Sequence, residues 1–277
     1  MNSFLITLIV FLCCTCGILL GTYIRVQLPA HHLSEESKDI VKLSTGLIAT
    51  LTALILGLLV ASANDTFQSF NDGLDKIGAD LLIMDRSLAF YGPEAKLTRD
   101  ALRKLTVVVL MNNWPDDQDQ TETHLTHEEL AGLPNYSQTK QFVHGGASEA
   151  LRGADALSNI QNMLLRLEPK DNAQRWRQAR ALEVSGSLAE KRWLMVEQSQ
   201  NNLPTPFLVV LVIWLVILFV TFSVFAPRNK TVRTVLFLCA LSVSGSVFLI
   251  LELNKPTSGL LKISSAPLMK ALDLIGK

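Results

Sequence analysis

The sequence has no charge of one sign to spare: Lys and Arg together number 25, and so do Asp and Glu. A protein that holds a nucleic-acid backbone needs a basic face, so zero net charge removes nucleic acid as a partner. Cysteine is scarce, and Cys13, Cys14, Cys16 and Cys239 all lie inside apolar stretches. There they staple nothing in the polar part of the chain and form no zinc spacing. They read as small residues tolerated in a membrane helix. Also missing are a phosphate-cradling glycine loop and a nucleophile elbow. No residue set is left to carry catalysis, so the chain is not expected to be an enzyme or to hold a cofactor or metal.

What is present in quantity is apolar length. Four stretches, 3–24, 43–63, 206–225 and 234–253, are free of charge except the last. Each is about 20 residues, which at ~1.5 Å per residue spans the ~30 Å hydrocarbon layer as a helix. The first lacks a basic n-region, exceeds the length of a signal-peptide core and has no small-x-small site before Arg25, so it is expected to be retained. The lipid bilayer is therefore the first partner. The fold class expected is all-α: an integral membrane protein with four transmembrane helices in two hairpins, and a helical domain between spans two and three.

By residue number, the expected organisation is a first transmembrane hairpin at 1–63 and a helical extramembrane domain at 64–205. A second hairpin follows at 206–253, then a C-terminal tail at 254–277 with a short amphipathic helix. In the middle domain, Phe67, Phe70, Leu74, Ile77, Leu81, Met84, Leu88 and Tyr91 alternate spacings of three and four, an a/d seam of coiled-coil type. Asp72, Asp75, Lys76, Asp80, Asp85 and Arg86 fall off it. Traced backward, the register enters the membrane at Ala63, Val60, Leu56, Ala53, Ala49 and Gly46, so helix two and the first domain helix are expected to form one rod. Gly92-Pro93 should kink or restart it, with the register resuming at Thr98, Leu102, Leu105 and Val109. Turn chemistry fills 112–146. A helix is expected over 147–167, with Leu157, Ile160, Leu164 and Leu167 on one seam. Pro169-Lys170-Asp171-Asn172 stops it, and a last helix runs over 173–200.

Small residues line helix two. Gly46, Thr50, Ala53, Gly57 and Ala61 make a stripe of the kind that lets membrane helices approach closely, or lets several copies surround a narrow axis. Ser242 and Ser246 repeat the theme in helix four. Glu252 is the one ionisable residue within a span; an intramembrane acid is costly and marks a functional candidate, although its place near the end of the span also suits pairing with Lys255. These eight residues are the pore or helix-packing candidates. His31, His32, Glu35 and Glu36 cluster in the first linker, where the acids suit the first turn of a helix starting at Ser34 better than a metal. His124, His127, Glu128 and Glu129 lack a third coordinating motif.

Two groups of segments carry a family likeness. The first runs through Leu28-Pro29, His32-Leu33-Ser34, Glu36-Ser37-Lys38-Asp39, Gly46-Leu47-Ile48-Ala49-Thr50-Leu51, Leu56-Gly57-Leu58-Leu59 and Ala61-Ser62-Ala63. The second runs through Phe225-Ala226-Pro227-Arg228-Asn229, Ala240-Leu241-Ser242-Val243-Ser244-Gly245, Leu249-Ile250-Leu251-Glu252-Leu253 and Ser264-Ser265-Ala266-Pro267-Leu268. With Tyr91-Gly92-Pro93-Glu94-Ala95, these resemble the bestrophin-like membrane-protein family of bacteria and plants. Bestrophins are pentameric anion channels with four spans per subunit and a helical domain between spans two and three. The resemblance thus implies a homo-oligomer passing inorganic anions. The aromatic-rich pore neck and acidic calcium clasp of true bestrophins are not recognisable here, so calcium gating is not carried over.

A channel is one reading, and a non-conducting membrane sensor or interaction protein signalling along the rod is the other. The membrane expected is a bacterial cytoplasmic (inner) membrane. Arg25, Lys38, Lys42, Arg228, Lys230 and Arg233 crowd the two short linkers, against Lys76, Lys191, Arg192, Lys255 and Lys262 on the other side. The positive-inside rule then places the middle domain outside the cytoplasm; the family layout implies the reverse, and the charge distribution is followed here.

Overall fold

The computed structural model describes residues 3–29, 35–114, 146–200, 205–227, 229–255 and 260–277. All the regular structure among them is helical: α1 (Ser3–Gln27), α2 (Glu35–Tyr91), a 3-10 turn (Pro93–Ala95), α3 (Lys96–Asn113), α4 (Gly146–Leu165), α5 (Asn172–Gln200), α6 (Thr205–Phe225), α7 (Lys230–Leu253) and α8 (Ala266–Leu274). Four helices, α1, α2, α6 and α7, are long and apolar enough to cross a membrane. The fold separates into two compact units, residues 1–67 with 201–261, and 68–200 with 262–277. The division falls within α2.

In the first unit, α1 packs along both α6 and α7. Val10, Cys14 and Ile18 of α1 meet Leu211, Leu215 and Phe219 of α6 and Ala240 and Val247 of α7. Gly17 lies against Val216 and Gly21 against Val220, so α1 and α6 run parallel. The ring pairs Phe4–Phe248 and Phe11–Phe237, edge to face at 6.2 and 5.2 Å, show α7 antiparallel to α1. Ile55, Leu56 and Leu59 bring α2 to this core. Several hydroxyls in the spans bond within their own helix: Thr15 donates to Phe11 O at 2.8 Å, Thr52 to Ile48 O at 2.7 Å and Ser244 to Ala240 O at 2.8 Å. Without such partners each would be an unmet polar group in hydrocarbon.

α2 is a single helix of 57 residues, the rod that the seam called for, about 85 Å long at ~1.5 Å per residue. In the second unit its inward face follows the seam, with Phe70, Leu74, Leu81, Met84, Leu88 and Tyr91 buried. In the membrane half the traced register holds at Ala63, which is buried, and at Leu56, which packs on the core, but not further back: Ala53 and Gly46 are exposed, and Thr45 and Thr52 are buried. A straight helix drifts by ~20° per heptad against a 3.5-residue repeat, so a register extrapolated over several heptads moves off the buried side. At the far end Gly92 takes φ 129° and ψ −179°, a region open in practice to glycine alone, and Pro93 starts the 3-10 turn into α3.

The second unit is a bundle of the α2 segment, α3, α4, α5 and α8. Gly73 faces Met195 and Asp80 pairs with Lys191 at 2.5 Å, while Gln174 donates to Tyr91 O at 2.9 Å and Arg177 to Phe90 O. α5 therefore runs antiparallel to α2. Asp171 begins α5, its Oδ1 accepting from Gln174 N at 2.6 Å. Asp85 is off the seam, as its spacing indicated, yet not on the surface. It is buried, and Arg99 grips it with Nε at 2.8 Å and Nη2 at 3.0 Å. The α2–α3 packing covers the position, and a bidentate partner makes its burial tolerable.

The final segment, 262–277, belongs to the same bundle. Ile263, Leu268, Ala271, Leu272 and Ile275 are buried. Trp114 Nε1 donates to Ile263 O at 2.7 Å, and Arg103 Nη1 donates to Leu272 O at 2.7 Å and Ile275 O at 2.9 Å, satisfying carbonyls that α8 leaves open at its end. Ser34 and the histidines at 31, 32, 124 and 127 lie outside the described residues.

Candidate functional site

The five small residues of α2 share one face. Gly46, Thr50, Ala53, Gly57 and Ala61 are all exposed within the protomer. A methyl group built on Gly46 or Gly57 would meet nothing within 4 Å among the described residues. Thr50 turns its hydroxyl back to Leu47 O at 2.8 Å, so the stripe presents almost no hydrogen-bonding demand of its own. The opposite side of the same helix supplies Ile55, Leu56 and Leu59 to the core. The membrane part of α2 thus has one face packed on its own chain and a second, exposed side on which the small-residue stripe lies beside Leu47, Leu54 and Leu58, without a partner among the described residues.

The α7 candidates differ among themselves. Ser242 is exposed and Ser246 partly so, its Oγ donating to Ser242 O at 3.3 Å; Gly245 beside them has open space in place of a side chain. Glu252 is 6% exposed and its Oε2 accepts from the backbone N–H of Leu260. Lys255 N in turn donates to Glu252 O at 3.0 Å. The acid therefore ties the end of α7 to the backbone of Leu260. Its side chain is not part of the exposed Ser242–Gly245 surface.

One pair escaped the sequence reading. Gly17 and Gly21, a GxxxG spacing inside an apolar helix, are where α1 comes close to the backbone of α6. A Cβ on Gly21 would stand 2.4 Å from Val220 O and 2.7 Å from Ser223 Cβ; on Gly17 it would stand 3.2 Å from Val216 O. Ser223 Oγ crosses the same seam to donate to Ile18 O at 2.7 Å. The GxxxG signal was available, but the longer stripe on helix two drew the packing assignment that belongs, within the protomer, to α1.

Lys170 holds the exposed Glu94 carboxylate at 2.5 Å. Its hydrogen bond lowers the Glu94 pKa, and the Lys170 pKa rises in return. Burial, then the nearby Glu94 charge, raises that of Tyr91. The Asp85 hydrogen bond raises that of Arg99 further. No group of three or more His, Cys, Asp or Glu side chains among the described residues is placed to hold a metal ion.

The comparisons agree with this architecture. Across 97% of its length the chain superposes on 99% of a crystal structure described as a membrane protein carrying a point substitution, with TM-score 0.61 and 12% identity. Its whole length superposes on the whole of a bacterial bestrophin homologue from Klebsiella pneumoniae, also point-substituted, with TM-score 0.62 and 13% identity. At such identities the likeness is one of fold. A search of curated proteins found no match. The family model of the Bestrophin-like domain matches residues 13–268, nearly the entire length over which the helices just described are strung, and the chain belongs to the Bestrophin-like family.

Proposed function

We propose that the protein is the subunit of an oligomeric anion channel, with the small-residue face of α2 turned to the symmetry axis. The observation that carries this reading is the unoccupied stripe of Gly46, Thr50, Ala53, Gly57 and Ala61. A face of small residues on a long membrane helix is suited to close approach by other helices or to lining a narrow path. Membership of the Bestrophin-like family, itself of unassigned function, supports it through the likeness to bestrophins, which are oligomeric anion channels. Ser242 and Ser246 are offered as a polar surface beside that path, and Glu252 as an acid that orders the exit of α7. In this reading the middle domain lies outside the cytoplasm of a bacterial inner membrane, following the basic residues of the short linkers. A reporter fused at Asn135 and active only in the cytoplasm would reverse that orientation.

The test is anion efflux from liposomes holding the purified protein, with wild type beside Gly57→Leu. Wild type should release chloride faster than empty vesicles, and Gly57→Leu should lose most of that flux while remaining folded. Wild-type vesicles no leakier than empty ones overturn the channel reading. The continuous α2 helix favours the second reading, a sensor that passes a signal along the rod. A closed ring of four or more subunits supports the channel, and a dimer the sensor.

A further inference from the structure

About 20 residues, 234–253, fill the ~30 Å hydrocarbon layer as a helix, which sets Glu252 one residue from the edge of that layer. The Glu252 side chain is buried, and the bond its Oε2 accepts from the N–H of Leu260 brings a later part of the chain back to the same level. Leu260 and its neighbour Leu261 are nonetheless exposed, at 79% and 41%. No other large apolar residue among the described ones is as exposed as Leu260. Leu249 of α7, about 60° round the helix from Glu252 at ~3.6 residues per turn, is exposed as well. Exposed apolar surface therefore runs from the outer side of the span onto the two leucines that follow it.

The occupant of this surface follows from its level and its charge. At the edge of a membrane helix the medium beside an exposed leucine is lipid, and the pair continues a face that the span already turns outward. The stretch 253–262 holds Lys255 and Lys262 and no acidic residue. Lysines beside an apolar insertion are the pattern of a segment lying in a membrane interface, with its apolar side chains in the acyl boundary and its ammonium groups toward phosphates. The main chain is held there too: Asn254 Nδ2 donates to Ile250 O at 2.8 Å and Lys255 N to Glu252 O at 3.0 Å, closing the end of α7. We propose that Leu260 and Leu261 form an interfacial anchor, inserted in the bilayer surface beside the end of α7. Lys255 and Lys262 turn toward anionic headgroups, and Glu252 is the positioning residue that keeps Leu260 at membrane level. The inference needs α7 to span the membrane and is independent of whether the protein conducts.

The test is photo-crosslinking of the full chain in liposomes of phosphatidylcholine, with and without phosphatidylglycerol. The photoreactive residue p-benzoylphenylalanine replaces Leu260 in one variant, Leu249 in a second and Leu97 in a third. Leu97 is exposed too, but on α3, a charged helix that is not among those apolar enough to cross a membrane. Phospholipid adducts, read by mass, should form at 260 as they do at 249, and several-fold less at 97. Phosphatidylglycerol should raise the yield at 260. Lys255→Gln with Lys262→Gln should remove that gain and leave the yield at 249 unchanged. Glu252→Ala should lower the yield at 260 alone, the yield at 249 reporting that α7 is still in place. Adducts at 260 with protein instead of lipid, whether its own chain or a second copy, overturn the anchor, as does a lipid yield no higher than at 97. A yield at 260 indifferent to phosphatidylglycerol overturns the role of the lysines, and one indifferent to Glu252→Ala overturns that of Glu252.

Discussion

Placing a methyl group at Gly21, and separately at Gly57, weighs the packing in the membrane unit. Both glycines sit inside helices, so both gain the same ~1 kcal/mol of helix propensity from alanine, and that gain cancels in the comparison. At Gly57 the new carbon meets nothing within 4 Å. At Gly21 it lies 2.4 Å from Val220 O and 2.7 Å from Ser223 Cβ. The first of these is backbone, which cannot rotate aside, so α1 and α6 must part. Overpacking costs ~1–3 kcal/mol. Parting the helices also stretches the 2.7 Å bond from Ser223 to Ile18 O, and such interhelical bonds average ~0.6 kcal/mol. Gly21→Ala should therefore fall below Gly57→Ala by about 2–3 kcal/mol. For a chain of this size that is roughly 4–12 °C in Tm. The assay is thermal unfolding of both variants in one detergent, read by circular dichroism. Gly21→Ala melting level with Gly57→Ala would refute the close approach of α1 and α6.

The buried pair of the second unit should show the asymmetry expected of buried charge. Arg99→Met strands Asp85, only 4% exposed at its side chain, and should cost ~3–5 kcal/mol, whereas Arg99→Met with Asp85→Leu should recover much of that loss in chemical denaturation. Trp114→Phe removes the bond to Ile263 O and should cost about 1 kcal/mol; limited proteolysis should then release the C-terminal segment sooner than in wild type. The pKa of Tyr91 is raised in the fold, so its stabilising contribution is whole below the unfolded pKa and lost as pH rises through the folded one. Alkaline titration of phenolate absorbance should show one tyrosine ionising late in the native protein, and Tyr91→Phe should remove it. Glu94 shifts the other way: what its bond to Lys170 contributes is present above the unfolded carboxylate pKa and lost on acidification.

The sequence alone determined the spans, because hydrocarbon thickness fixes the length of an uncharged helix before any neighbour is considered. It also determined the rod and its stop: the a/d seam ends where Gly92-Pro93 denies the helix its next turn. The family likeness was carried by short motifs in the same segments. Local patterns of this kind are complete within a few turns of chain, so they are legible without the fold. Long-range matters were decided elsewhere. Asp85 flanks the seam next to Met84 whereas Asp72 stands opposite it, but position alone does not bury a carboxylate, and only the arrival of Arg99 from α3 makes the burial of Asp85 tolerable. Likewise two small-residue motifs competed for the role of close packing, at Gly17–Gly21 and along the α2 stripe, and a sequence cannot say which glycine meets another backbone. Tertiary structure assigned that role inside the protomer to α1, since Val220 O stands where a Gly21 side chain would be, and it left the α2 stripe open.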